Sequence, residues 1–111
     1  GHAASDMPHL ASADLARLLA EKRPLTLLDC REPEEYSDEL GHIAGTVLIP
    51  VGEVAARAGE VPGDKPIVSI CRSGKRALRA AQALRDAGRA EVWVLTGGML
   101  AWNEAGLPVE R

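Results

Sequence analysis

The chain has 111 residues, 46% of them hydrophobic, and a formal net charge of −3 at pH 7. This length and apolar content fit one compact domain with a modest core and leave no room for a second domain. The negative charge argues against a general nucleic-acid binder, which needs an excess of Lys and Arg on one face, so any anion site must be local.

The N-terminal segment and the apolar runs give no sign of a membrane partner or an export signal. No apolar run approaches the roughly 20 residues of a membrane span, and residues 1–10 lack the apolar centre of a signal peptide. Gly1 and His2 resemble a remnant of tag cleavage. We therefore assign residues 1–7 to an N-terminal tail and residues 8–111 to the domain.

Helical and strand-like patterns alternate along the domain. Ser12 suits the cap of a first helix, because the leucines after it recur at helical spacing. Pro33 suits the first position of a short helix with an acidic first turn. Short apolar runs bounded by Pro or Gly predict buried strands. In chain order, the sequence predicts a helix from Ser12 to near 22–24, a strand at 25–30, a short helix at 32–40, a strand at 45–50, a short helix at 51–59, a strand at 65–71, a long helix between Lys75 and Gly88, a strand at 91–98 and a short helix at 98–106.

These strands are apolar throughout and separated by helices, a pattern that predicts a parallel sheet covered on both faces. The fold class is therefore an open α/β sandwich. Ligands of such sheets lie beyond the carboxyl ends of the strands, where a loop turns into a helix. Two segments occupy strand ends of that kind, Asp29–Arg31 and Cys71–Lys75.

The long helix after Cys71 is predicted to pack on the sheet through small residues. At about 100° per residue, one of its faces is small or apolar and the opposite face is polar. Its N-terminus points unpaired N–H groups and the positive end of the helix dipole at the preceding loop. The apolar face comprises Ala77, Ala80, Ala81, Leu84 and Gly88, and the polar face comprises Arg79, Gln82 and Asp86.

Cys71 occupies the loop that this helix N-terminus faces. The loop Cys-Arg-Ser-Gly-Lys can wrap around a sulfur as an anion-binding nest, and Gly74 supplies the backbone freedom for the curl. Positive charge from Arg72, Lys75 and Arg76 adds to the conditions that lower a thiol pKa and leave a nucleophilic thiolate. A buried cysteine is often only a small hydrophobe. Three bases at a helix N-terminus are electrostatically unfavourable, however, and they favour the functional interpretation.

The chain contains two cysteines, Cys30 and Cys71. Two are too few for a secreted disulfide scaffold and are typical of reduced thiols in the cytoplasm, although a disulfide between them stays open. Neither lies in a C-x-x-C pair, and His2, His9 and His42 fall at no spacing typical of zinc sites. We therefore expect a cytoplasmic domain without a metal or another cofactor.

Four segments stand out along the chain: LLDCREPEEY, GHIAGTVLIP, ICRSGKRA and LTGGMLAWNEAGLP. In this order they resemble the rhodanese domain, the sulfurtransferase fold, across nearly the whole chain. The resemblance implies about five parallel strands, the first a short one near Pro8–Leu10 that periodicity does not predict. It also implies catalysis through a persulfide on Cys71. The thiolate would take the outer sulfur of thiosulfate, sulfite would leave, and cyanide or a thiol would collect the sulfur.

The residues after Cys71 form the candidate substrate cradle. A persulfide carries its charge one atom further out than a thiolate, so it needs a ring of N–H donors. Arg72 and Arg76 can offer planar forks to the sulfonate oxygens of thiosulfate, with Lys75 as a point charge. We expect Arg76 to matter more, because it lies at the far rim of the loop. The predicted binding residues are Arg72, Ser73, Gly74, Lys75 and Arg76.

Two alternative functions stay open. Related phosphatases and arsenate reductases separate their Cys and Arg by five residues, whereas four residues lie between Cys71 and Arg76, and Ala77 stands at the phosphatase position. The shorter loop suits a sulfur atom better than a tetrahedral oxyanion. The second alternative is a persulfide carrier or interaction module that exchanges sulfur with a partner protein and has little thiosulfate activity.

Four further residues near these motifs have mainly structural interpretations. Asp29 and Arg31 match the family's Asp-x-Arg, and we favour an internal salt bridge that supports the site over direct substrate contact. Strand alternation turns Cys30 away from both, toward the core, as a buried inert thiol rather than a resolving partner of Cys71. His42 is more consistent with a structural hydrogen bond than with a general base, because transfer from a thiolate needs no base.

Overall fold

The computed structural model describes residues 7–111, which fold around one five-stranded sheet. The strands are β1 (His9–Leu10), β2 (Thr26–Asp29), β3 (Val47–Leu48), β4 (Ile67–Ile70) and β5 (Val92–Leu95). They lie in the order β1-β5-β4-β2-β3, and every neighbouring pair is parallel. β1 is the short first strand that the resemblance implies. Gly1 and His2, with the rest of the predicted tail up to residue 6, lie outside the described residues.

Five helices cover the sheet. They are α1 (Ser12–Ala20), α2 (Pro33–Tyr36), α3 (Val54–Arg57), α4 (Lys75–Asp86) and α5 (Gly98–Glu104). Short 3₁₀ turns at Val51–Glu53 and Ala58–Glu60 extend α3 at both ends. Among the helices of residues 7–111, none has the length and apolar content needed to cross a membrane.

The two faces of the sheet bury separate hydrophobic clusters, which confirms the predicted α/β sandwich. Neighbouring residues of β2 alternate between the clusters, as strand geometry requires. Leu28 packs on the face covered by α4, together with Leu84. Leu27 packs on the opposite face with Leu15 of α1 and Trp102 of α5. Burial on both faces explains why the central strands are apolar throughout.

Three local predictions are wrong. Ser12 is the first residue of α1 and makes no capping hydrogen bond, because Ala11 occupies the cap position. The strand predicted to be buried at 45–50 is the half-buried edge strand β3. Gly88 does not pack on the sheet. It lies exposed beyond the end of α4 at φ +94°, where a glycine commonly ends a helix.

The parallel register brings the two candidate loops together at one edge of the sheet. Asp29 pairs with Ile70, and the N–H of Cys30 donates to the Ile70 carbonyl at 2.9 Å. In a parallel ladder this bond places the next residues of the two strands opposite each other. Cys30 and Cys71 are therefore neighbours at the carboxyl ends of β2 and β4.

Candidate active site

Cys71 follows β4 directly and begins the tight loop that leads to α4, and this loop curls around its sulfur. Its side chain is a free thiol, and the residue is only 1% exposed. The backbone N–H of Gly74 donates to its sulfur at 2.9 Å. Helix α4 starts one residue later, so its first N–H groups also face this loop. The nest predicted from the sequence is thus present around the sulfur.

Gly74 makes the curl of the loop possible. It occupies the left-handed region at φ +109°, where a side chain would strain the backbone, and it is the N-cap residue of α4. Its carbonyl accepts from the N–H of Leu78 at 3.0 Å, so the loop continues directly into the helix. A glycine at this position therefore sets the curvature that turns N–H groups toward Cys71.

The start of α5 holds the outer side of the loop. The N–H of Met99 donates to the Cys71 carbonyl at 2.8 Å, and the N–H of Leu100 donates to the Arg72 carbonyl at 3.0 Å. Gly98 permits this approach, because a Cβ there would stand 2.6 Å from the Arg72 carbonyl oxygen and closer still to that of Cys71. The loop carbonyls thus point at α5, which leaves the N–H groups to face the sulfur.

Sequence reasoning missed this support. The Thr-Gly-Gly segment at 96–98 predicts only a tight turn after β5. Gly97 and Gly98 both have positive φ, at +72° and +55°, so the turn is present. The signal for the contact with the Cys71 loop was the pair of adjacent glycines. One glycine is enough for a turn, and a second one permits another backbone segment to approach closely.

The surroundings of Cys71 lower the pKa of its thiol from 9.0 to about 5. The largest cause is a hydrogen bond from the Cys30 thiol, and backbone N–H groups of Ala77, Gly74 and Ser73 lower the pKa further against the opposing effect of burial. Basic side chains, which the sequence suggested as a cause, are not among these leading contributions. Cys71 is therefore a thiolate at neutral pH mainly because of short-range donors.

Cys30 is fully buried on the same face of the sheet as Cys71, and both belong to the cluster that α4 covers. The prediction that its side chain turns toward the core is confirmed. Its immediate neighbour there is Cys71. The proximity of the Cys71 sulfur, together with burial, raises the pKa of the Cys30 thiol, so Cys30 keeps its proton.

Arg76, in the first turn of α4, forms a two-pronged ion pair with Glu35 of α2. The two bonds, from Nη1 to Oε1 and from Nη2 to Oε2, measure 2.7 and 2.9 Å. This pairing lowers the pKa of Glu35 to about 2. Glu35 also accepts from the N–H of Glu32 at 3.1 Å, which ties the pair to the start of α2. The predicted anion-binding arginine therefore already has a carboxylate partner.

The other predicted binding residues lie at the mouth of the loop. Arg72, Ser73 and Lys75 are exposed, and Gly74 is half-buried. Among described residues, Arg72 and Lys75 form no salt bridge. Two cationic side chains are thus free to meet an anion that enters the loop from solvent, whereas Arg76 is held at the rim.

Asp29 and Arg31 form the internal salt bridge that the sequence suggests, with both side chains fully buried. Arg31 donates from Nη2 to Oδ2 of Asp29 at 2.8 Å and from Nε to Oδ1 at 2.9 Å. Its Nη2 also donates to the Gly41 carbonyl at 2.7 Å. The pair therefore ties the end of β2 to the segment that leads into β3.

The contacts that His42 makes within residues 7–111 are structural. Its Nδ1 lies 2.7 Å from the carbonyl oxygen of Tyr36, and its ring stacks on the Tyr36 ring with centroids 3.6 Å apart. The backbone of His42 pairs with that of Glu110. These contacts agree with a structural hydrogen bond. Within residues 7–111, no group of three His, Cys, Asp or Glu side chains could hold a metal ion.

Comparison with known proteins agrees with this geometry. The family model of the rhodanese-like domain matches residues 11–105. An HTH-type transcriptional regulator of Mycobacterium tuberculosis is 46% identical over 93 residues, which cover 82% of this chain and 40% of the regulator. A sulfurtransferase of Allochromatium vinosum is 35% identical over 98 residues, which cover 88% of this chain and 90% of that protein.

A solved structure extends the likeness to three dimensions. The crystal structure of a rhodanese-related protein from Thermoplasma volcanium matches with a TM-score of 0.80 at 31% identity, and the match covers 91% of this chain and 95% of that one. This chain thus spans nearly the whole length of two relatives and less than half of the regulator. On the family model, the sequence relatives and the fold together, the chain belongs to the rhodanese-like domain family.

Proposed function

We propose that the protein is a sulfurtransferase that moves a sulfane sulfur from thiosulfate or a persulfide donor to a thiophilic acceptor through a persulfide on Cys71. The observation that carries this proposal is the thiolate nest, in which the Gly74 N–H lies 2.9 Å from the Cys71 sulfur and the thiol pKa is lowered to about 5. Such a thiolate is a nucleophile at neutral pH without a general base. Kinship with a sulfurtransferase supports the same reaction class.

The proposed reaction has two steps at one sulfur atom. First, the Cys71 thiolate attacks the outer sulfur of thiosulfate, the S–S bond of thiosulfate breaks, and sulfite leaves with the bonding electron pair. Cys71 then carries the sulfur as Cys–S–S⁻. Second, a thiol or cyanide attacks the outer sulfur and becomes a persulfide or thiocyanate, and the Cys71 thiolate is the leaving group.

The loop residues have separate proposed roles in these steps. The backbone N–H groups around Cys71 stabilise the anionic sulfur, because preorganised donors in a buried site favour developing negative charge. Arg72 and Lys75 are exposed cations at the mouth of the loop, suited to bind the sulfonate oxygens of the donor. Arg76 adds positive charge at the rim, with Glu35 holding its guanidinium in place.

A persulfide carrier for a partner protein is the second candidate, since it shares the chemistry up to the acceptor. Phosphatase chemistry has less support. The position where related phosphatases place their arginine is Ala77, which is fully buried against the sheet. A reducing compartment such as the cytoplasm suits both sulfur-transfer candidates, because Cys71 must remain a thiolate.

The intact mass of the reduced protein after brief incubation with thiosulfate tests this proposal. The wild type should gain one sulfur atom, about 32 Da, and lose it on addition of cyanide, whereas Cys71→Ser should gain nothing. Superimposable circular dichroism spectra of the wild type and Cys71→Ser would show that the variant keeps its fold. A gain in Cys71→Ser would overturn the role of Cys71.

Incubation with a persulfidated donor protein separates the two sulfur-transfer candidates. A mass gain from this donor but not from thiosulfate would assign the carrier function. A gain from thiosulfate would support the enzyme. If the wild type takes sulfur from neither source, the proposal is wrong for both candidates.

A further inference from the structure

Cys30 brings a second sulfur to the site, one that the proposed reaction does not use. The β2–β4 register pairs Asp29 with Ile70, so Cys30 and Cys71 are the next residues on the two neighbouring chains, and neighbouring strands lie about 4.8 Å apart. Both side chains point to the face that α4 covers, whereas the flanking Asp29 and Arg31 bond to each other. The two thiols therefore lie side by side in the same buried cluster.

Burial limits the hydrogen-bond partners that are available to the Cys30 thiol. The residue is fully buried, so its S–H has no access to solvent. Among the described residues, Cys71 is the neighbour that acts most strongly on the pKa of the Cys30 thiol. An S–H group that packs beside an anionic sulfur donates to it, because this orientation adds a donor to the anion and satisfies a thiol that has no access to solvent.

We propose that Cys30 is a positioning residue that donates its thiol hydrogen to the sulfur of Cys71 and thereby holds Cys71 as a thiolate. Its effect on turnover rests on the proposed function, whereas its effect on the thiolate does not. No proton changes place in this arrangement, since Cys30 stays protonated throughout.

The charged groups around the pair agree with this assignment of the proton. Asp29 lies next to Cys30 in the chain, and its charge disfavours a thiolate on Cys30. Arg76 favours a thiolate there but is itself bound to Glu35. The Cys71 thiolate disfavours a second anion beside it most of all. The two thiols therefore carry one negative charge between them at neutral pH, and it resides on Cys71.

The donor acts unequally on the two forms of Cys71. In the thiolate the full charge lies on the sulfur that Cys30 faces. In the persulfide the charge moves to the outer sulfur, so the same donor faces a bridging atom with little charge. Cys30 thus stabilises the free thiolate more than the persulfide, which favours release of sulfur to the acceptor.

Titration of the Cys71 thiolate by its ultraviolet absorbance tests the proposal, with Cys71→Ser as the blank. The wild type should titrate near pH 5. Cys30→Ala removes the donor and should raise the midpoint by at least one pH unit, so that the thiolate fraction falls at least tenfold at a pH below both midpoints. Cys30→Ser supplies a hydroxyl donor and should restore most of the shift.

A packing role predicts a different pattern of thiolate midpoints across the variants. If Cys30 only fills space, Cys30→Ala should leave the midpoint unchanged, and a Cys30→Ser midpoint equal to that of Cys30→Ala would equally overturn the proposal. Cys30→Val serves as a second donor-free variant that keeps the volume, and it should titrate like Cys30→Ala. The readout needs no sulfur donor, so it remains decisive even if the proposed sulfur transfer fails.

Discussion

Arg76 and Glu35 join two parts of the site that lie 41 positions apart in the chain. Their two parallel N–H to oxygen bonds form the geometry in which a guanidinium and a carboxylate bind most strongly. Both side chains are less than one third exposed, at 29% and 23%, so water screens the pair only in part. An incoming anion meets an arginine whose orientation is already set, but whose charge is partly balanced.

Replacement of Glu35 by Gln should destabilise the protein by about 1 kcal/mol at pH 7, because the ion pair is lost while the acceptor for the Glu32 N–H is kept. The folded protein lowers the pKa of Glu35 from 4.5 to about 2. A carboxyl with a lowered pKa stabilises the fold above pH 4.5, and this contribution is lost as the pH falls from 4.5 through about 2. Urea unfolding at a series of pH values measures the difference.

The exposed neighbour Glu34 provides the matched control for this prediction. Glu34→Gln removes the same charge from the same helical turn and should change the stability much less at pH 7. The contribution of the ion pair would be refuted if the two variants were equally stable, or if the deficit of Glu35→Gln persisted undiminished near pH 2.

At the scale of elements, the active-site loop depends on the junction between the start of α5 and the loop itself. The N–H groups of Met99 and Leu100 hold the carbonyls of Cys71 and Arg72. This contact brings two strand-to-helix turns together, one after β4 and one after β5. The loop therefore keeps its curl because a second turn binds its back, as well as because Gly74 permits the curl.

Replacement of Gly98 by Ala should disrupt this junction, because the added Cβ would lie 2.6 Å from the Arg72 carbonyl oxygen. We expect a loss of stability of at least about 2 kcal/mol, which combines backbone strain at φ +55° with the clash. The thiolate midpoint of Cys71 should also rise, since the N–H groups of the loop move. Urea unfolding and thiolate titration of the variant measure these two effects.

Gly106→Ala isolates the contribution of backbone strain. Gly106 has a comparable φ of +73°, but a Cβ there would meet nothing within 4 Å. This variant should lose about 1 kcal/mol and keep the thiolate midpoint of the wild type. Equal behaviour of the two alanine variants would show that the approach of α5 to the loop has no special role.

For the molecule as a whole, the sequence predicted the alternation of helices and strands and the place of the site. Apolar strands such as β2 and β4 identified a sheet buried on both faces, and Gly74 after Cys71 identified the nest. The pairing of Arg76 with Glu35 was missed, and a contact between Cys30 and Cys71 was considered only as a possible disulfide or resolving pair. Periodicity describes an element and its faces, whereas these contacts depend on strand order and register, which bring together distant parts of the chain.

Among the salt bridges of residues 7–111, the pair of Asp29 and Arg31 is the fully buried one, so the fold should be sensitive to a change of charge there. Arg31→Met removes the partner of a fully buried carboxylate and the donor to the Gly41 carbonyl. Loss of one partner from a buried pair destabilises a protein by about 3–5 kcal/mol, a large part of the roughly 5–15 kcal/mol that stabilises a typical domain. We therefore expect a variant that unfolds at a clearly lower urea concentration and temperature than the wild type, measured by urea and thermal unfolding.

The exposed pair of Arg17 and Asp14 provides the comparison, because its side chains are 63% and 49% exposed. Arg17→Met should cost at most about 1 kcal/mol, although the residue type and the substitution are the same. Similar losses in the two variants would mean that the buried pair contributes no more than a surface pair. The double variant Asp29→Leu with Arg31→Met should recover part of the loss of Arg31→Met, because it leaves no unpaired charge in the interior.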